Sequence, residues 1–148
     1  MCNKWDSRFM DLASTVASWS KDPSTQVGCI IVGQDRKILA TGYNGFAKGV
    51  KDTEERLNDR PVKYQLVLHA EVNAVLNSTS DLNGATAFVT HSPCAQCTSV
   101  LAQSGVVRIV TMPTPAGLLE RFKESFELAD SIRSETGIDY KILEENDA

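Results

Sequence analysis

The chain is 148 residues long, 42% apolar and 23% charged, with a formal net charge of −4. That mix fits a globular chain with one buried core, and no apolar run approaches the length needed to span a bilayer. The acidic balance argues against tight binding to a nucleic-acid backbone, yet it leaves room for a small anionic ligand met by a few local cations.

Residues 6–19 carry Phe9, Leu12, Ala13, Val16 and Ala17 on one stripe and are predicted helical. Lys21-Asp22-Pro23-Ser24 breaks that helix. Residues 27–33 and 37–41 read as a hairpin turning at Gln34-Asp35-Arg36. A polar stretch over roughly residues 42–63 is expected to be irregular, and a loop so long in a compact domain is usually functional or disordered. A helix over 68–76, a strand over 86–91, a helix over 93–103 and a strand over 106–111 follow. An amphipathic helix over 118–133, ended by Gly137, and a strand over 139–143 close the chain. Strands alternating with helices after a hairpin predict an α/β fold with a mixed sheet covered on both faces. No repeat or linker interrupts it, so one domain over residues 1–148 is expected.

Of the four cysteines, Cys2, Cys29, Cys94 and Cys97, only the last two form a motif. Without a basic segment and apolar run at the N-terminus no secretory leader is expected, and a reducing, cytoplasmic setting would keep both thiols available. Cys29 reads as a small buried hydrophobe and Cys2 as an exposed terminal thiol.

Two segments carry chemistry: His69-Ala70-Glu71 and Pro93-Cys94-Ala95-Gln96-Cys97. Together they form the signature of zinc deaminases. Cys94 and Cys97 share a helix face, and the first-turn dipole favours their thiolates. Ser92 is placed to cap that helix, and Pro93 suits its first position. His69 is the third candidate ligand, and three protein ligands leave a fourth tetrahedral position open for water. A structural zinc site would need a fourth ligand, for which His91 is the candidate. Glu71 is the candidate general base, but residues two apart on a helix diverge. Both His69 and Glu71 reach one water only if the metal sits off the helix end.

At these residues the chain resembles the deoxycytidylate (dCMP) deaminases of the cytidine deaminase superfamily, the phage-type members above all. The likeness runs through Ser20-Lys21-Asp22-Pro23-Ser24-Thr25-Gln26-Val27-Gly28, then Gly42-Tyr43-Asn44-Gly45-Phe46. It continues in His69-Ala70-Glu71-Val72-Asn73-Ala74 and Ser92-Pro93-Cys94-Ala95-Gln96-Cys97. The resemblance implies a three-layer αβα fold on a mixed five-stranded sheet. It implies Zn2+ on His69, Cys94 and Cys97, Glu71 as proton carrier, and hydrolysis of dCMP to dUMP for dTMP synthesis. Asn44, Thr25 and Gln26 would bind substrate, with Ala70 and Ser92 beside them. A hexamer activated by dCTP and inhibited by dTTP with Mg2+ is implied too, its effector site drawing on Gly42, Tyr43, Gly45, Phe46 and Lys48.

The chain departs from the family at Ala47, at His91 and over Met112-Pro113-Thr114-Pro115-Ala116-Gly117. Those departures leave a dCTP deaminase, or one acting on both dCMP and dCTP, as an alternative. tRNA adenosine deaminases share both metal motifs, but the acidic balance and Gly-Tyr-Asn-Gly-Phe count against them. A non-catalytic zinc- or nucleotide-binding regulatory protein would have no need of Glu71. Lys48, Lys51, Arg56, Arg60, Lys63, Arg121 and Lys123 are expected to be solvated, with one or two holding phosphate.

Overall fold

A computed structural model describes residues 4–144; the reading of Cys2 lies outside them. Helix α1 (Lys4–Ala17) leads into β1 (Gly28–Val32) and β2 (Ile38–Tyr43). The stretch 42–63 is not irregular throughout. It holds β3 (Gly45–Phe46) and α2 (Glu54–Asn58) and runs into α3 (Arg60–Leu66), after which β4 (Val67–Leu68) pairs back on β3. Local caps explain both helices: the Thr53 hydroxyl accepts from Arg56 N, and the Asp59 carboxylate accepts from Val62 N beside Pro61. Next come α4 (Ala70–Asn77), β5 (Thr86–Val89), α5 (Ala95–Gln103) and β6 (Arg108–Thr111). The helix expected over 118–133 is two helices, α6 (Ala116–Arg121) and α7 (Lys123–Thr136), broken where Phe122 leaves helical geometry at φ −117° and ψ 31°. Gly137, left-handed at φ 73°, closes α7 before β7 (Asp139–Ile142).

The sheet has five strands in the order β2-β1-β5-β6-β7. Strand β1 runs antiparallel to both β2 and β5, while β5, β6 and β7 run parallel, so the sheet is mixed as expected. Alternation sorts its side chains into two cores. Cys29, Ile31, Ala87, Val89 and Ile109 face α4 and α5. Ile30, Val32, Phe88 and Val110 face Phe9, Met10, Ala13 and Val16 of α1. Asp6, buried on α1, holds the Arg108 guanidinium through both oxygens, at 3.0 and 2.6 Å, and so ties the helix to β6. This is the three-layer αβα fold. Among the described residues no helix is long and apolar enough to cross a membrane.

Helix α4 sits against β2 without an intervening side chain. A Cβ at Gly42 would lie 2.5 Å from the Ala70 carbonyl oxygen and 2.9 Å from Ala74 Cα. Asn73 and Asn77, one helical turn apart, donate to the Tyr43 and Thr41 carbonyls at 2.8 and 3.0 Å. Gly42→Ala therefore forces helix and strand apart. It is expected to lose about 3 kcal/mol, a fall in Tm on the order of 10 °C. Gly45→Ala, where an added Cβ meets nothing within 4 Å, is expected to stay within about 0.5 kcal/mol. Thermal unfolding of the two variants checks both.

Candidate active site

The N-terminal ends of α4 and α5 meet beyond the C-terminal end of β5. His69 is the N-cap of α4, with extended φ −70° and ψ 156°, and its ring makes no capping hydrogen bond. Because His69 stands outside the helix, the divergence of residues two apart does not apply. His69 and Glu71 line one cavity, with the ring exposed to it.

Ser92 does not cap α5. Cys94 is the N-cap, and its Sγ accepts from Cys97 N at 3.5 Å. The Ser92 hydroxyl bonds Tyr140 of β7 instead, and its N–H donates to Thr114 Oγ1 at 2.8 Å. Ala95 N–H, the first of α5, donates to Ser125 Oγ of α7 at 3.0 Å. The segment after β6 thus props the loop that carries the thiols.

His69 Nδ1 lies 3.2 Å from Cys97 Sγ and 3.7 Å from Cys94 Sγ. Tetrahedral zinc with ordinary Zn–N and Zn–S bonds would set such atoms about 3.6 Å apart. One imidazole and two soft thiols suit zinc in chemistry as well as in spacing. Among the described residues this trio is the one group of at least three such side chains whose ligand atoms all lie within 4.8 Å of one another, and His91 is not in it. The trio therefore offers three ligand atoms with the spacing that one zinc ion needs. The thiols are already unequal. Hydrogen bonding with Cys97 holds Cys94 down to about 4, assisted by the His69 imidazole, while that same bond and burial push Cys97 up. The bond to Cys94 raises His69. A metal ion displaces the remaining proton as it binds.

Glu71 is 4% exposed. Burial drives its carboxyl up to about 7, against the pull of its own backbone N–H and of His69. It lines a cavity of about 290 Å³ together with His69 and Cys94. Thr25, Asn44, Ala70 and Ser92, the candidate substrate-binding residues, line this cavity. Gln26 does not: in the extended run Thr25–Val27 its neighbours face inward, and its amide turns away to donate to Ser20 O at 2.6 Å. Asn44 is not in a left-handed turn. Its Oδ1 accepts from Val27 N at 2.9 Å and its Nδ2 donates to Thr25 O at 2.8 Å, so it staples the cavity wall to the end of β2. Lys63 is not solvated. It is buried against Asp22, Nζ to Oδ1 3.2 Å. Tyr43, Gly45 and Phe46 line a separate hollow of about 110 Å³, to which neither Gly42 nor Lys48 contributes. Gly42 is occupied by α4. Sequence reasoning missed Leu118 of α6, Phe122 at the break and Phe126 of α7, which wall the cavity. Their apolar spacing gave a helix but not its target.

A glutamate set beside three metal-binding side chains, rather than among them, is what zinc-dependent base deaminases share. Fold and site together place the chain in that class. More specifically, the profile of the cytidine and deoxycytidylate deaminase zinc-binding region matches residues 3–113, and the chain belongs to that family. It is 38% identical over 139 residues to an uncharacterized deaminase in the luxG 3' region of Aliivibrio fischeri, covering 94% of this chain and 93% of that protein. It is 34% identical over 119 residues to the deoxycytidylate deaminase of Mycobacterium phage D29, covering 72% and 92%. The human deoxycytidylate deaminase is 38% identical over 117 residues, and the match spans 65% of its length. The dCMP deaminase of cyanophage S-TIM5, solved with dCMP and dUMP, superposes with TM-score 0.76 at 25% identity over 97% of this chain and 99% of that one.

Removing one thiol should empty the ligand set without unfolding the chain. Cys97→Ala is expected to retain less than roughly a tenth of the zinc carried by the parent. Metal analysis of both purified proteins checks this.

Proposed function

We propose that the chain hydrolyses dCMP to dUMP and ammonia, with His69, Cys94 and Cys97 as zinc ligands and Glu71 as the catalytic residue that moves protons. The observation that carries the proposal is the buried Glu71 carboxyl, near neutrality, beside a three-ligand set at the end of a nucleotide-sized cavity. The deoxycytidylate deaminases among its relatives support the choice of base and sugar.

Zinc held by the trio would acidify a water molecule and present it as the nucleophile. Glu71 takes a proton from the attacking water and delivers it to N3 of the base, so that C4 accepts the oxygen. The resulting tetrahedral C4 carries both the new hydroxyl and the amino group. Glu71 then moves the hydroxyl proton to the nitrogen, the C4–N bond breaks, and ammonia leaves the uracil nucleotide. A carboxyl near 7 is matched to a role that needs it to accept and return a proton in turn. Ala70, wholly buried at the start of α4, has an N–H with no intrahelical acceptor, and that donor suits the base carbonyl. Asn44 and Thr25 shape the wall against which the sugar would lie.

On the family likeness the same proposal includes a hexamer, activation by dCTP and inhibition by dTTP with Mg2+. Its test is ammonia release from zinc-loaded protein given dCMP, dCTP or deoxycytidine, each with and without dTTP. Turnover of dCMP is expected, and ammonia from none of the three would overturn the reading. Glu71→Gln is expected to keep its zinc and lose on the order of a thousandfold in kcat. A Glu71→Gln variant turning over near the parent rate would remove Glu71 from the mechanism.

A further inference from the structure

Three cations line the cavity: Arg60 of α3, Lys63 of α3 and Arg121 of α6. They are not equivalent. Lys63 is committed to Asp22, with side chains 6% and 9% exposed, and the same Asp22 carboxylate accepts from Ser24 N at 2.8 Å and Thr25 N at 3.1 Å. That pair is neutral and braces the Ser24–Thr25 turn. Arg60 and Arg121 have no carboxylate within 4.0 Å among the described residues, and Arg121 rests over the Phe122 ring at 5.0 Å. Two unneutralised guanidiniums, brought together from distant helices, therefore open on one cavity of a chain whose net charge is −4. Arg121 also lies beyond residues 3–113, the span that the family profile covers.

The charge balance of the cavity identifies their ligand. A divalent metal on the His69, Cys94 and Cys97 atoms would cancel two thiolates, and Lys63 cancels Asp22. Glu71, its carboxyl pushed up to about 7, is the one further acid on the cavity wall, and the two arginines together match in magnitude the charge of a phosphate monoester, about −1.5 to −2. Guanidinium forks match phosphate oxygens in geometry as well as in charge. A triphosphate brings more negative charge than these two groups neutralise.

Resting on the deaminase reading above, we infer that Arg60 and Arg121 together grip the 5'-phosphate of the substrate and select a nucleoside monophosphate over both the free nucleoside and the triphosphate.

The test is the ratio of kcat/KM for dCMP to that for deoxycytidine in the parent, Arg60→Ala, Arg121→Ala and the double variant. Calorimetric titration with dUMP and with deoxyuridine reads the same contacts without turnover. The ratio is expected to fall at least about tenfold in each single variant and about a hundredfold in the double. The affinity ratio of dUMP to deoxyuridine should fall in step. Arg56→Ala, an exposed arginine outside the cavity, should keep the parent ratio. Equal losses on nucleotide and nucleoside, or no loss on dCMP, would overturn the inference while leaving the deaminase reading intact. A parent enzyme that prefers dCTP to dCMP would overturn the selection of a monophosphate. A protein releasing no ammonia, but binding dUMP through both arginines, would keep the inference and remove the reaction.

Discussion

The site hangs on the direct seating of α4 upon β2. Glycine at position 42 and alanines at 70 and 74 bring the helix axis close to the sheet, and Asn73 and Asn77 fasten it to carbonyls of that strand. The carbonyls they take belong to an edge strand, so the same two side chains also cover part of an open sheet edge. An eight-residue helix has little intrinsic stability, and packing rather than propensity holds it. Its N-terminus then has one position relative to β5 and the loop after it, and that position is what brings His69 to Cys94 and Cys97. Any residue larger than glycine at 42 would move an imidazole whose Nδ1 lies 3.2 and 3.7 Å from two sulfurs.

Elements whose hydrophobic period matched their surroundings were readable from sequence alone. The hairpin, α1, β5, α5, β6 and β7 fall within a few residues of their expected spans, because their apolar side chains pack into one or both of the two cores. Residues 42–63 were not readable in that way. Helices α2 and α3 are short, bury almost no apolar side chain, and owe their existence to Thr53 and Asp59 as caps. The break at Phe122 was hidden for a related reason. No proline or glycine marks it, and it serves to turn Leu118 and Phe122 toward the cavity while Ala129 and Arg133 stay buried on α7.

In the site, residue type and spacing were sufficient to anticipate that His69, Cys94 and Cys97 cluster and that Glu71 lines the same cavity. Supporting contacts were invisible because they join distant segments. Thr114, Ser125 and Tyr140 hold Ser92 and Ala95 from the last third of the chain, in a region with no motif of its own. Lys63 looked like one more surface lysine, and only the fold shows that Asp22, 41 positions earlier, neutralises it. Gln26 sits inside a shared motif, yet it serves the backbone at Ser20 rather than the cavity. Membership in a motif established that these residues matter together, while the strand's alternation decided which of them faces a ligand.

Glu71 is the clearest conflict between stability and chemistry in the molecule. A carboxyl 4% exposed costs free energy unless it is neutral or well partnered, and a core-facing position on a short helix would be more stable with an apolar residue. Its neighbours do not relieve that cost by fixing one protonation state. Burial raises the carboxyl, its backbone N–H and His69 lower it, and the two thiols pull in opposite directions. Such a balance is of no use to a residue that only packs, nor to one that only ligates, since a ligand would be held firmly ionised. It suits a group that gives up and regains one proton within each turnover. The surrounding structure tolerates the cost because the sheet, α1 and the α4–β2 contact supply stability elsewhere.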